Sequence, residues 1–297
     1  MTTLEHTTDI FATEQVDAAP SSRWETLWLF LTNPNGIAGL SLFLLILCST
    51  IIGPLVYPVD PFELAGAPFT PPDASTLFGT DYLGRDVLAG ILVGGRATLT
   101  VGAVAALITV CIGVTIGSLS GYFGGRIDVG LMKFTEFFQV LPTLLFAMVL
   151  VTIYGPSLIT ITVSIGVVSW TGVARLTRAE FMRIRELEYV KSVTAAGGTT
   201  GYIILRTILP NALPPIIVAA AFAIGSAILF EGALSFLGLG DPNRMSWGLI
   251  IGQNRIYVLD AWWPVVIPGT AIFLSVLSIC LIGDGLNDAL NPQLRKR

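Results

Sequence analysis

Histidine, cysteine and charge are all scarce in this sequence. The only histidine is His6, and the cysteines Cys48, Cys111 and Cys280 each lie in an apolar run without C-x-x-C spacing. This pattern argues against a disulfide framework or a zinc site, and it favours small buried hydrophobic residues. Because no H-E-x-x-H, G-x-S-x-G or G-x-x-x-x-G-K-[ST] pattern is present, we expect no catalysis, no bound metal and no cofactor.

Low charge and long apolar runs predict a membrane protein. Only 12% of the 297 residues are charged, 53% are hydrophobic and the mean hydropathy is +0.77, whereas soluble domains carry about 25% charged residues. A transmembrane helix needs about 20 apolar residues. The expected fold class is an all-α integral membrane protein with six transmembrane helices, at 36–57, 97–122, 137–153, 158–175, 212–238 and 264–283.

The distribution of basic residues predicts the orientation of these spans. With a cytoplasmic N-terminus, 12 of the 16 Lys and Arg residues fall inside, and Arg85, Arg96, Arg244 and Arg255 fall outside. Cytoplasmic segments carry such an excess, so both termini are predicted to be cytoplasmic. The remaining segments are then a disordered acidic tail (1–30), an external loop (58–95), a cytoplasmic loop (176–210) and a cytoplasmic tail (289–297), around a transmembrane domain at 96–288.

The cytoplasmic loop contains the most informative stretch, "EYVKSVTAAGGTTGYIILRTILPN" at 188–211. Its first part has strong helix formers, and Gly197-Gly198 then predicts a sharp corner, since glycine tolerates positive φ. Thr199 or Thr200 is a candidate cap for a second short helix, "GYIILRTIL". A loop of this length with helical pattern is typical of a functional segment, here a docking site for a soluble partner.

Several motifs, in order, resemble the C-type permease subunit of ATP-binding-cassette (ABC) importers for dipeptides, oligopeptides and nickel. They are "FGTDYLGRDVLAGILVGGRATLTVG" (78–102), "SGYFGGRIDVGLMKFTEFFQVLPTLL" (120–145), "ILPN" (208–211), "ILFEGALSFLGLG" (228–240), "SWG" (246–248) and "GDGLNDALNP" (283–292). The resemblance covers roughly 30–292 and implies a type I ABC-importer permease fold in the plasma (inner) membrane. It also implies three kinds of protein partner besides membrane lipid, and none of them is a nucleic acid. These are a homologous B-type permease forming a heterodimer, two ABC ATPase subunits and an extracytoplasmic solute-binding protein.

One departure from the family pattern lies in the cytoplasmic loop. Lys191, Ser192 and Val193 stand where the family usually has Glu-Ala-Ala. The acid is replaced by a base, so the resemblance implies a co-adapted ATPase. The residues it assigns to ATPase coupling are Glu188, Tyr189, Lys191, Ser192, Ala195, Ala196, Gly197, Gly198 and Thr199.

Two features of the spans carry alternative interpretations. The small-xxx-small series Gly113, Gly117 and Gly121 predicts close helix packing, either within the chain or against a second permease. Glu231 is an ionisable residue in an apolar segment, so we interpret it as either a gate residue or a structural hydrogen-bonding group.

The cargo and the transport class each leave an alternative open. Peptides are the favoured cargo, and nickel or another metal chelate is the alternative. An ion-coupled secondary transporter would be expected to carry several charged residues within its spans, whereas Glu231 is nearly alone here. A structural or channel-like membrane protein would not need the glycine-cornered loop.

Overall fold

The computed structural model describes residues 23–290, and within them all regular secondary structure is helical. The predicted tails at 1–22 and 291–297 lie outside the described residues. The prediction of a tail as far as residue 30 is wrong, because a helix occupies Arg23–Thr32. The helices are α1 (Arg23–Thr32), α2 (Pro34–Val56), α3 (Val87–Phe123), α4 (Gly125–Val140), α5 (Thr143–Tyr154), α6 (Leu158–Val168), α7 (Thr171–Arg185), α8 (Glu188–Ala195), α9 (Thr200–Leu239), α10 (Trp247–Asn254) and α11 (Trp263–Leu290).

Four of these helices, α2, α3, α9 and α11, are long and apolar enough to cross a membrane alone. The pairs α4–α5 and α6–α7 pass the same test together, with bends of 82° and 41°. Counting each bent pair as one span gives the six expected spans. Leu45, Leu55 and Leu107 are 66%, 76% and 62% exposed, as expected for side chains that face hydrocarbon.

The helices α3 and α9 begin well before the predicted spans. Helix α3 starts at Val87 rather than near 97, because the Asp86 carboxylate accepts a hydrogen bond from Ala89 N at 3.0 Å and caps the first turn. Helix α9 starts at Thr200, where Thr199 Oγ1 accepts from Tyr202 N at 3.4 Å. The predicted cap is therefore present, but "GYIILRTIL" forms the first turns of α9 rather than a separate helix.

The segments predicted as the third and fourth spans are each broken. Leu141 and Pro142 interrupt the third, since proline disfavours helical backbone in the preceding residue, and Leu141 is extended with ψ 128°. Ser169 and Trp170 interrupt the fourth. Trp170 is only 2% exposed, and its ring packs on Phe134 and Phe138 at centroid distances of 5.9 and 5.5 Å.

The centre of the bundle is α3, which packs against α2, α6, α7 and α9, while α9 also packs against α11. One buried cluster joins α3, α5, α6 and α9 through side chains such as Val101, Val151, Ile165 and Leu234. Another joins α2, α9, α10 and α11 around Trp247, whose indole donates to Ile91 O at 2.9 Å.

The predicted external segment between α2 and α3 is held by a network of polar contacts. Thr80 Oγ1 donates to Ala67 O at 2.7 Å and accepts from Thr70 N at 2.8 Å. Tyr57 donates to Asp86 Oδ2 at 2.6 Å, which raises the pKa of Tyr57 to about 12. The guanidinium of the neighbouring Arg85 lies over the Phe62 ring, 5.3 Å from its centroid.

Candidate functional site

Helix α8 is a short element held on the bundle by one buried side chain. Val190 is 1% exposed and packs with Phe181 and Ile184 of α7 and with Ile203 and Ile208 of α9. Val193 is partly buried against the same cluster, and the other residues of the helix are exposed. The structure therefore presents α8 as a small projecting surface anchored to both neighbouring helices.

The corner after α8 is a helix C-cap of the Schellman type. Gly197 has φ +83°, its N–H donates to Thr194 O at 3.0 Å, and Gly198 N donates to Val193 O at 3.0 Å. A Cβ on Gly197 would meet nothing within 4 Å, whereas a Cβ on Gly198 would lie 2.9 Å from Val193 O. The predicted corner is present. The sequence did not reveal that Gly198 has less space for a side chain than Gly197.

The nine residues assigned to coupling form one continuous surface. Gly198 is partly buried and the other eight are exposed: Glu188, Tyr189, Lys191, Ser192, Ala195, Ala196, Gly197 and Thr199. Partial desolvation of the Tyr189 ring by its neighbours keeps the pKa of Tyr189 above its usual range. The surface is mostly small side chains around this one aromatic ring, a composition that permits close approach by a partner.

The basic residue at 191 has a partner within the chain. Lys191 Nζ lies 3.3 Å from Glu186 Oε2, and Arg185 Nη2 lies 3.3 Å from Glu186 Oε1. Both cations lower the pKa of Glu186, with Lys191 the larger cause. Both side chains are exposed to solvent, which screens the attraction between them, so the charge of Lys191 is only partly compensated at the surface.

An ion pair fixes α4 to α7 beside this region. Arg178 Nη2 donates to Asp128 Oδ2 at 2.7 Å, Arg178 Nε bonds Oδ1 at 2.5 Å, and the Ser120 hydroxyl also donates to Asp128. The three residues come from α7, α4 and α3. Sequence reasoning missed this contact, since a separation of 50 residues between partners leaves no local signal.

The glycine series of α3 lies against α7 of the same chain. A Cβ on Gly113 would lie 2.6 Å from Val173 Cβ, one on Gly117 would lie 2.4 Å from Ala174 O, and one on Gly121 would lie 2.7 Å from Arg178 O. Two of these neighbours are backbone atoms, which cannot move aside as a side chain can. Only glycine permits this approach of α3 and α7.

Glu231 lies at the junction of α3, α9 and the start of α10. It is 1% exposed and accepts from Ser246 Oγ at 2.8 Å, Ser235 Oγ at 2.9 Å and Thr98 Oγ1 at 3.3 Å. Ser246 Oγ also caps α10 by accepting from Leu249 N at 3.1 Å, and Thr98 Oγ1 accepts from Trp247 N at 3.2 Å. The carboxyl group therefore holds hydroxyl groups that in turn fix the start of α10.

Two cavities flank this framework. One of about 510 Å³ lies beside Ser157 and 241–245 and includes the charged residues Arg96, Asp241 and Arg244 in its lining. The other, of about 410 Å³, lies at the break between α6 and α7. The residues lining it are Thr109, Thr143, Ile165, Val168, Ser169, Thr171, Gly172, Val173, Ala219, Phe222, Ala223, Ser226, Ala227 and Phe230. Neither lining includes Glu231.

Comparison with known sequences identifies the family of this chain. A protein-family model described as "Binding-protein-dependent transport system inner membrane component" matches residues 113–296. The chain belongs to this family. The matched region begins at Gly113 in α3 and includes α8 and its glycine corner.

Curated relatives of this permease match over nearly the whole chain. The di/tripeptide transport system permease protein DppC of Pseudomonas aeruginosa is 39% identical over 284 residues, 93% of this chain and 94% of the relative. The dipeptide transport system permease protein DppC of Bacillus subtilis is 38% identical, covering 89% and 83%. The oligopeptide transport system permease protein OppC of Haemophilus influenzae is 34% identical, covering 90% and 87%. These matches confirm the expected family, a multi-pass membrane component of an ABC importer.

A solved structure supports the same fold. A chain of the MetNI methionine ABC transporter, in inward-facing conformations, aligns with a TM-score of 0.57 and 18% identity, covering 68% of this permease and 96% of that chain. At this identity the likeness concerns the fold alone. It confirms the fold of an ABC-importer permease.

Glu231→Gln is expected to leave the permease assembled with at most a modest fall in transport. The amide keeps the size of the side chain and one carbonyl acceptor. Glu231→Leu removes every acceptor and strands buried hydroxyl groups, at a cost of about 1–3 kcal/mol each. Thermal unfolding of the purified complex measures the difference. If Glu231→Gln abolished transport while assembly and stability were unchanged, Glu231 would belong to the transport path.

Proposed function

We propose that this chain is the C-type permease of a binding-protein-dependent peptide importer. In this proposal it pairs with a homologous B-type permease, binds two ABC ATPase subunits from the cytoplasm and receives cargo from an extracytoplasmic solute-binding protein. The peptide cargo is supported by three relatives, each named for transport of dipeptides, di/tripeptides or oligopeptides. The observation that carries the proposal is the projecting α8 with its glycine corner.

Helix α8 is the proposed coupling element. The structure describes it as an exposed surface anchored through Val190 to α7 and α9, so a force on α8 acts on both helices. ATP-driven closure of the ATPases would displace α8 and rock α7 and α9 between outward-open and inward-open arrangements. ATP hydrolysis itself is assigned to the partner subunits, since this sequence has no phosphate-binding loop.

Purification from mild detergent tests the assembly. We expect the affinity-tagged chain to bring down two ABC ATPase subunits, a second permease and, with cargo, a solute-binding protein. The isolated chain is expected to bind no ATP, and saturable ATP binding to it would contradict the proposal. Uptake of a labelled dipeptide into proteoliposomes then tests the cargo, and a nickel chelate is the comparison.

Reporter fusions test the proposed orientation. A reporter placed after Arg297 is expected to be cytoplasmic, and one inserted near Pro72 is expected to be external, because the basic residues are concentrated on the side of the termini. Alkaline phosphatase and green fluorescent protein give opposite signals on the two sides. The reverse pattern would overturn the assignment of α8 to the cytoplasm.

A further inference from the structure

One face of α9 lies along the cavity at the α6–α7 break. Ala219, Phe222, Ala223, Ser226 and Phe230 line it, at helical spacing that places them on a single face. Another face of the same helix packs tightly on α3, where a Cβ on Gly102 would lie 2.6 Å from Ile228 Cγ1. Phe222 and Ser226 are exposed within the single chain. The cavity is therefore open on the side of Phe222 and Ser226, which no other part of the described chain covers.

The lining of this cavity is mostly apolar, contains hydroxyl groups and carries no charge. It carries five hydroxyl groups, from Thr109, Thr143, Ser169, Thr171 and Ser226, and none of its 14 residues is Asp, Glu, Lys, Arg or His. Ser226 is the exposed hydroxyl residue on the α9 face of this lining. Placing a hydroxyl group against hydrocarbon without a hydrogen-bond partner is unfavourable, so Ser226 favours water or a hydrogen-bonding ligand in the cavity.

The backbone at this position is also broken in the middle of a span. The 41° bend at Ser169–Trp170 interrupts the helical hydrogen-bond ladder between α6 and α7. Interrupted backbone at membrane depth occurs where it is buried in protein or lines a water-filled cavity. A Cβ on Gly172, directly after the break, would meet nothing within 4 Å. The break therefore opens onto free space.

We propose that this cavity is the part of the cargo path that this chain contributes, and that it contacts the main chain of a peptide through its hydroxyl groups. A hydroxyl both donates and accepts, so it matches the N–H and C=O of any peptide unit. Without ionisable groups the lining does not select among charged side chains. The inference rests on the proposed function as a peptide permease.

Thiol reactivity tests whether the cavity holds water, independently of the cargo. In the assembled complex in lipid nanodiscs, Ser226→Cys is treated with 2-sulfonatoethyl methanethiosulfonate, and labelling is located by mass spectrometry. The native Cys111 is the internal control, since it is exposed on α3 two residues from the lining residue Thr109 but does not line the cavity. Because only a hydrated thiol ionises readily, we expect position 226 to react about tenfold faster or more. Equal, slow reaction at both positions would mean a lipid-filled cavity and would overturn the inference.

Charge selection tests whether cargo passes beside Ser226. Wild-type complex with its binding protein is expected to import Ala-Lys and Ala-Glu at similar rates. Ser226→Asp is expected to raise the Ala-Lys to Ala-Glu uptake ratio about tenfold, because the new carboxylate repels an acidic side chain. Ser226→Asn, of the same size but uncharged, is expected to leave the ratio unchanged. If Ser226→Asp leaves the uptake ratio unchanged, cargo does not pass beside Ser226, and the inference is overturned even if the thiol at position 226 reacts.

A different outcome would contradict the proposed function. If the wild type imports neither dipeptide, the peptide cargo is wrong, while the thiol result still decides whether the cavity holds water.

Discussion

Gly117→Leu is expected to prevent the permease from accumulating in a folded form. A Cβ at this position would lie 2.4 Å from Ala174 O and 2.7 Å from Thr177 Cβ, well inside van der Waals contact. Overpacking a close-packed interface costs about 1–3 kcal/mol even when side chains adjust, and here the nearest atom is backbone. The whole α3–α7 contact would have to separate. Membrane abundance and fluorescence-detected gel filtration measure the loss.

Gly130→Leu is the matched control for this change. Gly130 lies within α4, is exposed, and a Cβ on it would meet nothing within 4 Å. Both changes give the same gain in helix propensity, so a difference between them reports packing. If Gly117→Leu gave a folded monomer that failed only to pair with the second permease, the glycine face would serve that interface. Wild-type abundance and thermal stability of Gly117→Leu would contradict the packing argument altogether.

Gly197→Val is expected to uncouple transport from ATP hydrolysis while the membrane spans remain folded. Gly197 adopts φ +83°, and left-handed backbone costs roughly 1–2 kcal/mol for an ordinary residue. Space around its Cβ is open in the single chain, so the strain is confined to the corner. Bulk on this exposed surface would then act on the docked ATPase. We expect loss of ATPase subunits on purification, or a joint fall of transport and binding-protein-stimulated ATP hydrolysis.

Two variants separate backbone strain from bulk at this corner. Gly197→Asn adds a side chain that tolerates left-handed backbone, so it is expected to retain more coupling than valine. Gly201→Val places the same β-branched residue four positions later in α9, where a Cβ would meet nothing within 4 Å and φ is not positive. Transport at the wild-type rate by Gly197→Val would show that α8 is not the coupling element.

The existence of the spans was predictable, and several of their ends were not. Continuous apolar stretches made the helices evident, because hydrocarbon demands about 20 apolar residues for each crossing. The start of α3 at Val87 depends on the carboxylate of Asp86, which also binds Tyr57. Hydropathy does not register a capping carboxylate, and the bond to Tyr57 joins residues 29 positions apart.

The prolines of α9 lie inside the helix and not at its start. Pro214 and Pro215 are close to residue 212, where the predicted span begins, but the helix starts before them. A π-helical stretch at Ile203–Ile208 precedes them, with Leu209 N bonded to Ile204 O. Proline lacks an N–H, yet membrane helices tolerate it where neighbouring groups satisfy the freed backbone. Ala212 and Ile216, on either side of the two prolines, are buried in one cluster with Phe181 and Ile184 of α7, and no local pattern reports such packing.

Some residues of the candidate site were predictable from local sequence, and their long-range contacts were not. Gly197 and Thr199 were predictable because corner and cap chemistry is local. The partner of Lys191 was not predicted, and neither was the ion pair of Asp128 with Arg178. The cysteines were expected to be buried, but Cys48 and Cys111 are exposed on the apolar surface. In a membrane protein, apolarity does not distinguish the protein interior from lipid.

The continuity of α9 has a thermodynamic consequence. The part from Thr200 to Leu234, before the non-helical Gly238, spans about 50 Å at about 1.5 Å per residue, well over the hydrocarbon thickness of about 30 Å. Its first residues adjoin the Gly197 corner, and Ser226 lies on the same rod. If occupancy at one end shifts the rod between two positions, linkage requires reciprocity: a ligand beside Ser226 changes the affinity for a protein docked at α8 by the same factor as that protein changes the affinity for the ligand. One helix would then couple two equilibria. Binding of nucleotide to the docked ATPases would change the affinity of the permease for its cargo, and binding of cargo would change the affinity for nucleotide by the same factor.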